Sequence, residues 1–193
     1  KVCDDKCRIF ILCNPHNPGG ICWSKETLQK LADFCYEHHL LVISDEIHCD
    51  MAIFGHKHIP FATVSEKARE NSITFQAPTK TFNIAGIISS YAIIPNADIR
   101  KKFYGWIKAN ELDEANIFAP IATIAAFTKG EEWRKSMLTY IEDNVRFVEE
   151  YCEKNIPQIH PLRPQASFLI WLNCRELNLD HKDLLDLFID KAH

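Results

Sequence analysis

Apolar residues along this chain fall into short continuous runs and longer periodic stretches, and the two alternate. Arg8 to Cys13 (RIFILC) is a bulky apolar run closed by Asn14-Pro15, which predicts a buried strand running into a loop. Ser24 then offers an N-cap, and Leu28, Leu31, Ala32, Cys35 and Tyr36 recur at helical spacing up to His38-His39. Leu40 to Ser44 (LLVIS) is a second apolar run, ended by Asp45-Glu46. Strand, helix and strand with short connections predict a parallel crossover, and such a sheet is covered on both faces. Ser72 to Ala77 and Ser89 to Ile94 predict third and fourth strands, with helices at Ala97 to Asn110 and Asn116 to Thr128.

From Glu131 the apolar positions Trp133, Met137, Tyr140, Ile141, Val145, Val148, Tyr151 and Cys152 predict one helix of several turns, ended by Pro157. A helix of that length is suited to linking two domains. Ser167 to Leu172 (SFLIWL) then predicts a strand, and Leu184, Leu185, Phe188 and Ile189 the apolar side of a last helix. No repeat or Gly/Ser linker divides the chain, so the boundary is placed near the start of the long helix. The fold class is therefore α/β: a mostly parallel sheet with helices on both faces over 1–130, and the linking helix with part of a smaller α+β domain over 131–193.

Composition narrows the partners more than the fold. With 47% hydrophobic and 25% charged residues among 193, the chain has the makeup of a packed globular protein. A net charge of −4 leaves no electrostatic footprint for nucleic acid or an anionic membrane. No apolar run reaches the roughly 18–20 residues that span a bilayer, and a cytoplasmic location is expected. Of eight cysteines, six (Cys13, Cys22, Cys35, Cys49, Cys152, Cys174) lie in or beside apolar runs without recurring spacing, which fits buried free thiols. Cys3 and Cys7 lack a second pair, so no metal is expected.

In parallel α/β sheets, ligands bind beyond the carboxyl ends of the strands. Three polar clusters fall there: Asn14 to Gly20 after the first strand, Asp45 to His48 after the second, and Pro78 to Asn83 after the third. All three are placed to converge on one crevice. Trp133, Phe168 and Trp171 are read as core, and Glu111, Asp113, Glu114, His181 and Asp183 as solvated faces.

The motifs NPHNPGG, SDEIH and APTKTFNIAG, in that order and about thirty to thirty-five residues apart, resemble the signature of the class I/II aminotransferase-fold enzymes of pyridoxal 5'-phosphate (PLP). The wording is most similar to the cystathionine β-lyase-like C–S lyase branch, of the maltose-regulon-modulator type. GEEW, YIEDN and PQASFLIWL extend the likeness over nearly the whole chain.

The resemblance implies that Lys80 carries PLP as a Schiff base and serves as catalytic base, and that Asp45 pairs with the pyridine nitrogen. It also implies that Asn17 and His48 address the phenolic oxygen, where many aminotransferases use tyrosine in place of His48. Thr79 then gives its hydroxyl to the phosphate. Pro15, Pro18, Gly19 and Gly20 supply loop geometry. Two positions depart from the aminotransferase pattern: Ala77 replaces a phosphate-binding serine and Ile88 an arginine, the latter change fitting the lyase branch.

The implied activity is β-elimination from cystathionine or a related cysteine thioether, giving pyruvate, ammonia and a thiol, in a homodimer acting on a small amino-acid substrate. An amino-acid aminotransferase would use the same residues, and a regulatory protein contacting a transcription factor would keep the fold for a binding role. The resemblance further implies a phosphate loop and ring-stacking aromatic before NPHNPGG and a carboxylate-binding arginine beyond His193. The 193-residue piece alone is therefore expected to be inactive.

Overall fold

The computed structural model describes residues 3–192. Strand β1 (Ile9–Cys13), helix α1 (Lys25–Glu37) and strand β2 (Leu41–Asp45) form the expected crossover. Ser24 caps α1 by accepting a hydrogen bond from the Thr27 amide at 3.2 Å. Strand β3 (Ser72–Gln76) adds a third parallel member, with Cys13 beside Asp45 and Asp45 beside Phe75. Helix α2 (Glu66–Glu70) precedes it. Leu28, Ala32 and Cys35 of α1 then bury against Leu12 and Val42, and Phe61, Val64 and Ala68 complete this core.

The fourth strand is shorter than its apolar run. Strand β4 (Tyr91–Ile93) lies antiparallel to β3, so the sheet order is β1-β2-β3-β4 with one reversed edge. Only a single helical turn, α3 (Pro78–Thr81), and a tight turn separate β3 from β4. The connection is fourteen residues long but holds no helix of more than one turn to carry the chain across the sheet, and it returns beside β3 in the opposite direction.

Helices lie on both faces of the sheet, as expected, and the second face is covered only in part within the described residues. Side chains alternate across a strand, and α1 covers the Leu12 and Val42 face. On the other face, helix α4 (Ala97–Ala109) meets the sheet at Phe75, whose ring lies 5.8 Å from that of Phe103. Ile9 and Ile11 there remain 57% and 72% exposed.

Helix α5 (Phe118–Lys129) leads into α6 (Glu131–Asn155), the long helix the periodicity predicts. After it, β5 (His160–Leu162) and β6 (Trp171–Asn173) make a separate two-stranded antiparallel sheet, followed by α7 (His181–Asp186). The strand expected at Ser167 to Leu172 begins only at Trp171. Residues 165–167 spend their amides on two different loops: Gln165 and Ala166 donate to the Gly20 carbonyl at 2.7 and 3.1 Å, and Ser167 to that of Met51 at 3.0 Å. With no continuous neighbour, no ladder forms. The segment instead clamps the loop after β1 to the loop after β2.

Gly20 is the pivot of that clamp. Its φ is +65°, and a Cβ there would sit 2.5 Å from Pro164 Cβ. Gly20→Ala is expected to cost about 2 kcal/mol or more, read as a lowered urea midpoint. Gly55, with φ +76° and nothing within 4 Å, is the control. Gly55→Ala carries the backbone penalty alone, about 1 kcal/mol.

Candidate active site

The loops after β1 and β2 meet at His48. This imidazole is buried, 2% exposed. Its Nε2 lies 3.4 Å from Asn17 Nδ2 on the loop after β1. Its ring stands 5.6 Å from that of Phe168 on the clamp segment. Burial pushes its pKa down; the Asp45 carboxylate opposes this, and the Lys80 ammonium adds to it. His48 thus lies in the field of both charged groups that the sequence singled out.

Asp45 ends β2 with its carboxylate half-buried on the less covered face, and Oδ1 accepts from the Ile47 amide at 3.2 Å. Lys80 is exposed on α3, flanked by buried Thr79 and Thr81. The turn holding it is firm: the Thr79 carbonyl accepts from Ile84 N at 3.0 Å, and that of Pro78 from Phe82 N at 2.9 Å. Asn17 is exposed. Thr79 is 8% exposed and so stands beneath the lysine rather than at the rim.

The expected single crevice is not seen among the described residues. Asp45 lines a cavity of about 230 Å³ with Ile11, Ile43, Ile47 and Phe75, whereas Lys80 lines another of about 250 Å³. His48 meets the second through Phe168, and Asp45 of the first reaches it only electrostatically.

Protonation of His48 follows from its surroundings. With the Asn17 amide donating to Nε2, the neutral ring carries its proton on Nδ1, which is buried without a partner. A folded-state pKa held below the ordinary 6.5 makes the neutral ring a source of stability above that value, lost as pH falls through the folded pKa. The thermal midpoint of the wild type should therefore drop on acidification below about 6.5 more steeply than that of His48→Gln, as differential scanning calorimetry from pH 7.5 to 5 would show. Parallel curves would exclude His48 as the titrating group.

Sequence reasoning passed over two features. Glu46, fully buried, accepts hydrogen bonds from Ser44 Oγ (2.9 Å), His58 Nε2 (2.9 Å), Phe61 N (2.8 Å) and Gln76 Nε2 (3.2 Å). It ties the loop between β2 and Phe61 to the sheet next to Asp45. The signal was available: Ser44 and Glu46 alternate with Asp45, so they point to the covered face.

The second is a correction. Trp133, Phe168 and Trp171, read as core, are 47%, 47% and 52% exposed, and Trp133 and Phe168 line the cavity beside Lys80. Apolar spacing gives a residue's face, and says nothing of whether that face meets protein or a cavity. The cysteines need a smaller correction: Cys35 and Cys152 are buried, while Cys13, Cys22, Cys49 and Cys174 are half-buried. All eight are free. Burial pushes the Cys49 thiol up to about 12 and Cys35 to about 11, so neither is a thiolate nucleophile near neutral pH.

The family model described as aminotransferase class I and II matches residues 1–192. The chain belongs to that family. Cystathionine β-lyase PatB of Bacillus subtilis is 43% identical over 192 residues, which cover 100% of this chain and 50% of PatB. Among solved structures, cystalysin from Treponema denticola, which contains a pyridoxal 5'-phosphate cofactor, superposes with a TM-score of 0.91 at 34% identity over 96% of this chain and 47% of its own. A PLP-bound putative aminotransferase from Clostridium difficile 630 gives 0.91 at 40% identity, over 95% and 48%. The chain spans about half the length of the curated relatives it matches.

The residues present suit PLP as a donor set. An exposed amine, a carboxylate at a strand end, and an amide with a buried imidazole come from three loops, and the His48 Nδ1 has no partner within the fold. Among the described residues, no helix is long and apolar enough to cross a membrane.

Proposed function

We propose that the protein containing these residues is a PLP-dependent C–S β-lyase that cleaves cystathionine or a related cysteine thioether to pyruvate, ammonia and a thiol. What supports this reading is the contact of Asn17, on the loop after β1, with buried His48, on the loop after β2, whose protonation responds to both the Asp45 carboxylate and the Lys80 ammonium.

PLP, when bound, supplies an electron sink for the pair left at the substrate's Cα. Lys80 Nζ would anchor the cofactor, and its amine would serve as the base for the substrate's Cα proton. Asp45 keeps a proton on the pyridine nitrogen through a charge-assisted hydrogen bond. Asn17 and His48 orient the phenolic oxygen, and the Thr79 hydroxyl addresses the phosphate. Phe168, packed near the His48 ring, keeps water from one side of that group.

Preference for lyase over transferase rests on the 43% identity to a protein named cystathionine β-lyase and on Ile88 at the position where the aminotransferase pattern has arginine. Full-length protein incubated with cystathionine should release pyruvate, ammonia and homocysteine with no 2-oxo acid acceptor added. A requirement for a 2-oxo acid acceptor would assign it to the aminotransferases instead.

In this reading, 1–130 form part of the cofactor-binding large domain, and 131–193 the linking helix and part of the small domain. The 25 residues of α6 reach roughly 37 Å, enough to pass between two domains. The protein acts on a small amino acid in the cytoplasm and binds neither nucleic acid nor membrane. A homodimer is part of this reading.

A further inference from the structure

The loop after β2, the end of β3 and the first turn of α6 border a separate cavity of about 560 Å³. None of Asn17, Asp45, His48, Thr79 and Lys80 lines it. Its volume falls in the range of roughly 300–1,000 Å³ common to small-molecule sites.

One wall is the His58 imidazole, whose side chain is 7% exposed and whose Nε2 lies 2.9 Å from Glu46 Oε2. An ionised Glu46 only accepts, as it does from Ser44 Oγ, Phe61 N and Gln76 Nε2, so the Nε2 of His58 carries the proton. In the neutral ring Nδ1 is then an acceptor, and it is buried without a partner. Such an atom calls for a donor.

Asp50 and Lys57 line the same cavity, yet among the described residues neither forms an ion pair with the other or with a third group. The wall therefore carries one carboxylate and one ammonium held apart. Arg134 adds to the cationic side. Its Nε and Nη2 each donate to the Glu131 carboxylate at 2.8 Å and its Nη1 to the Asp50 carbonyl at 2.9 Å, which ties α6 to the loop after β2 and leaves N–H groups for a further acceptor.

We infer that this cavity binds a small α-amino acid as its zwitterion, at a site distinct from that of the cofactor. The ligand's ammonium serves the Asp50 carboxylate and His58 Nδ1, and its carboxylate serves Lys57 and Arg134. A lone cation or a lone anion would satisfy only half of that set. Cys49 and Gln76 complete the polar lining, so a short polar side chain suits the space better than a bulky apolar one. The inference goes beyond the β-lyase reading and does not depend on it.

The test uses full-length holoenzyme reduced with borohydride, so that the cofactor can no longer exchange its amine for that of an added amino acid. L-Homoserine titrated calorimetrically into this protein should bind saturably, one molecule per chain. 4-Hydroxybutyrate, which lacks the ammonium, and 3-aminopropan-1-ol, which lacks the carboxylate, should each bind at least about tenfold more weakly. Asp50→Asn should weaken L-homoserine about tenfold, and Lys57→Met about threefold, less because the lysine is exposed. Neither residue is buried, so both variants should keep the wild-type thermal midpoint.

Absence of saturable binding to the reduced holoenzyme would overturn the inference. Either half-ligand binding as tightly as L-homoserine would reduce the cavity to a simple anion or cation site, and binding indifferent to both variants would place the amino acid elsewhere; each result refutes the inference. All of these leave the lyase reading standing. If borohydride fixes no cofactor at Lys80, the cofactor assignment is what has failed.

Discussion

Lys80→Ala in the full-length protein is expected to lower thioether cleavage by at least about 10⁴-fold, because one side chain performs two tasks. In the proposed reaction it would both hold the cofactor covalently and take the Cα proton. General base catalysis alone contributes typically 10²–10⁴, and loss of covalent anchoring adds to that. The structure supplies a reason for the placement: α3 starts with Pro78 at its first position and buries Thr79 and Thr81, so the lysine between them must point outwards. Its neighbours do not depend on its side chain. The variant should keep the wild-type thermal midpoint, lose the near-visible absorbance of a bound Schiff base, and give no borohydride-trapped adduct at position 80. Retained absorbance with trapping at another lysine would refute the site assignment.

Asp45→Asn is expected to lower kcat/KM by about 10²–10³-fold, equivalent to roughly 3–4 kcal/mol. Asparagine preserves the shape and can still accept from the Ile47 amide at the side-chain oxygen. What it loses is the negative charge, and so its hold on a proton at the pyridine nitrogen. The loss should fall mainly on kcat, since the carboxylate acts most strongly as the electron pair is delocalised. The charge change should also register at His48. Asp45 partly offsets the burial that depresses that pKa, so its neutralisation should lower it further. NMR titration of the His48 ring would check the direction, and an unchanged or raised value would contradict the proposed proximity.

These predictions concern residues that sequence reasoning singled out, and the reason is local. Asp45 ends β2 and Lys80 lies on the turn of helix just after β3, strands that apolar continuity alone identifies, and the NPHNPGG, SDEIH and APTKTFNIAG motifs need no tertiary information to be read. Glu46 was harder. It adjoins Asp45 and has the same charge type, but strand alternation sends it to the opposite face, where four donors meet it. The alternation was legible; the donors, from positions as distant as Phe61 and Gln76, were not.

The sequence by itself determined the order of strands and helices, the family, and which three loops carry polar chemistry, because hydrophobic period, caps and motifs are properties of neighbours along the chain. Only the tertiary structure decided that β4 runs antiparallel, that residues 165–167 clamp two loops instead of extending a strand, and that Trp133 and Phe168 face a cavity beside Lys80. Each of those outcomes depends on partners far apart in sequence. A periodic pattern tells which side of an element is apolar, but what that side meets is settled only when the chain has folded back upon itself.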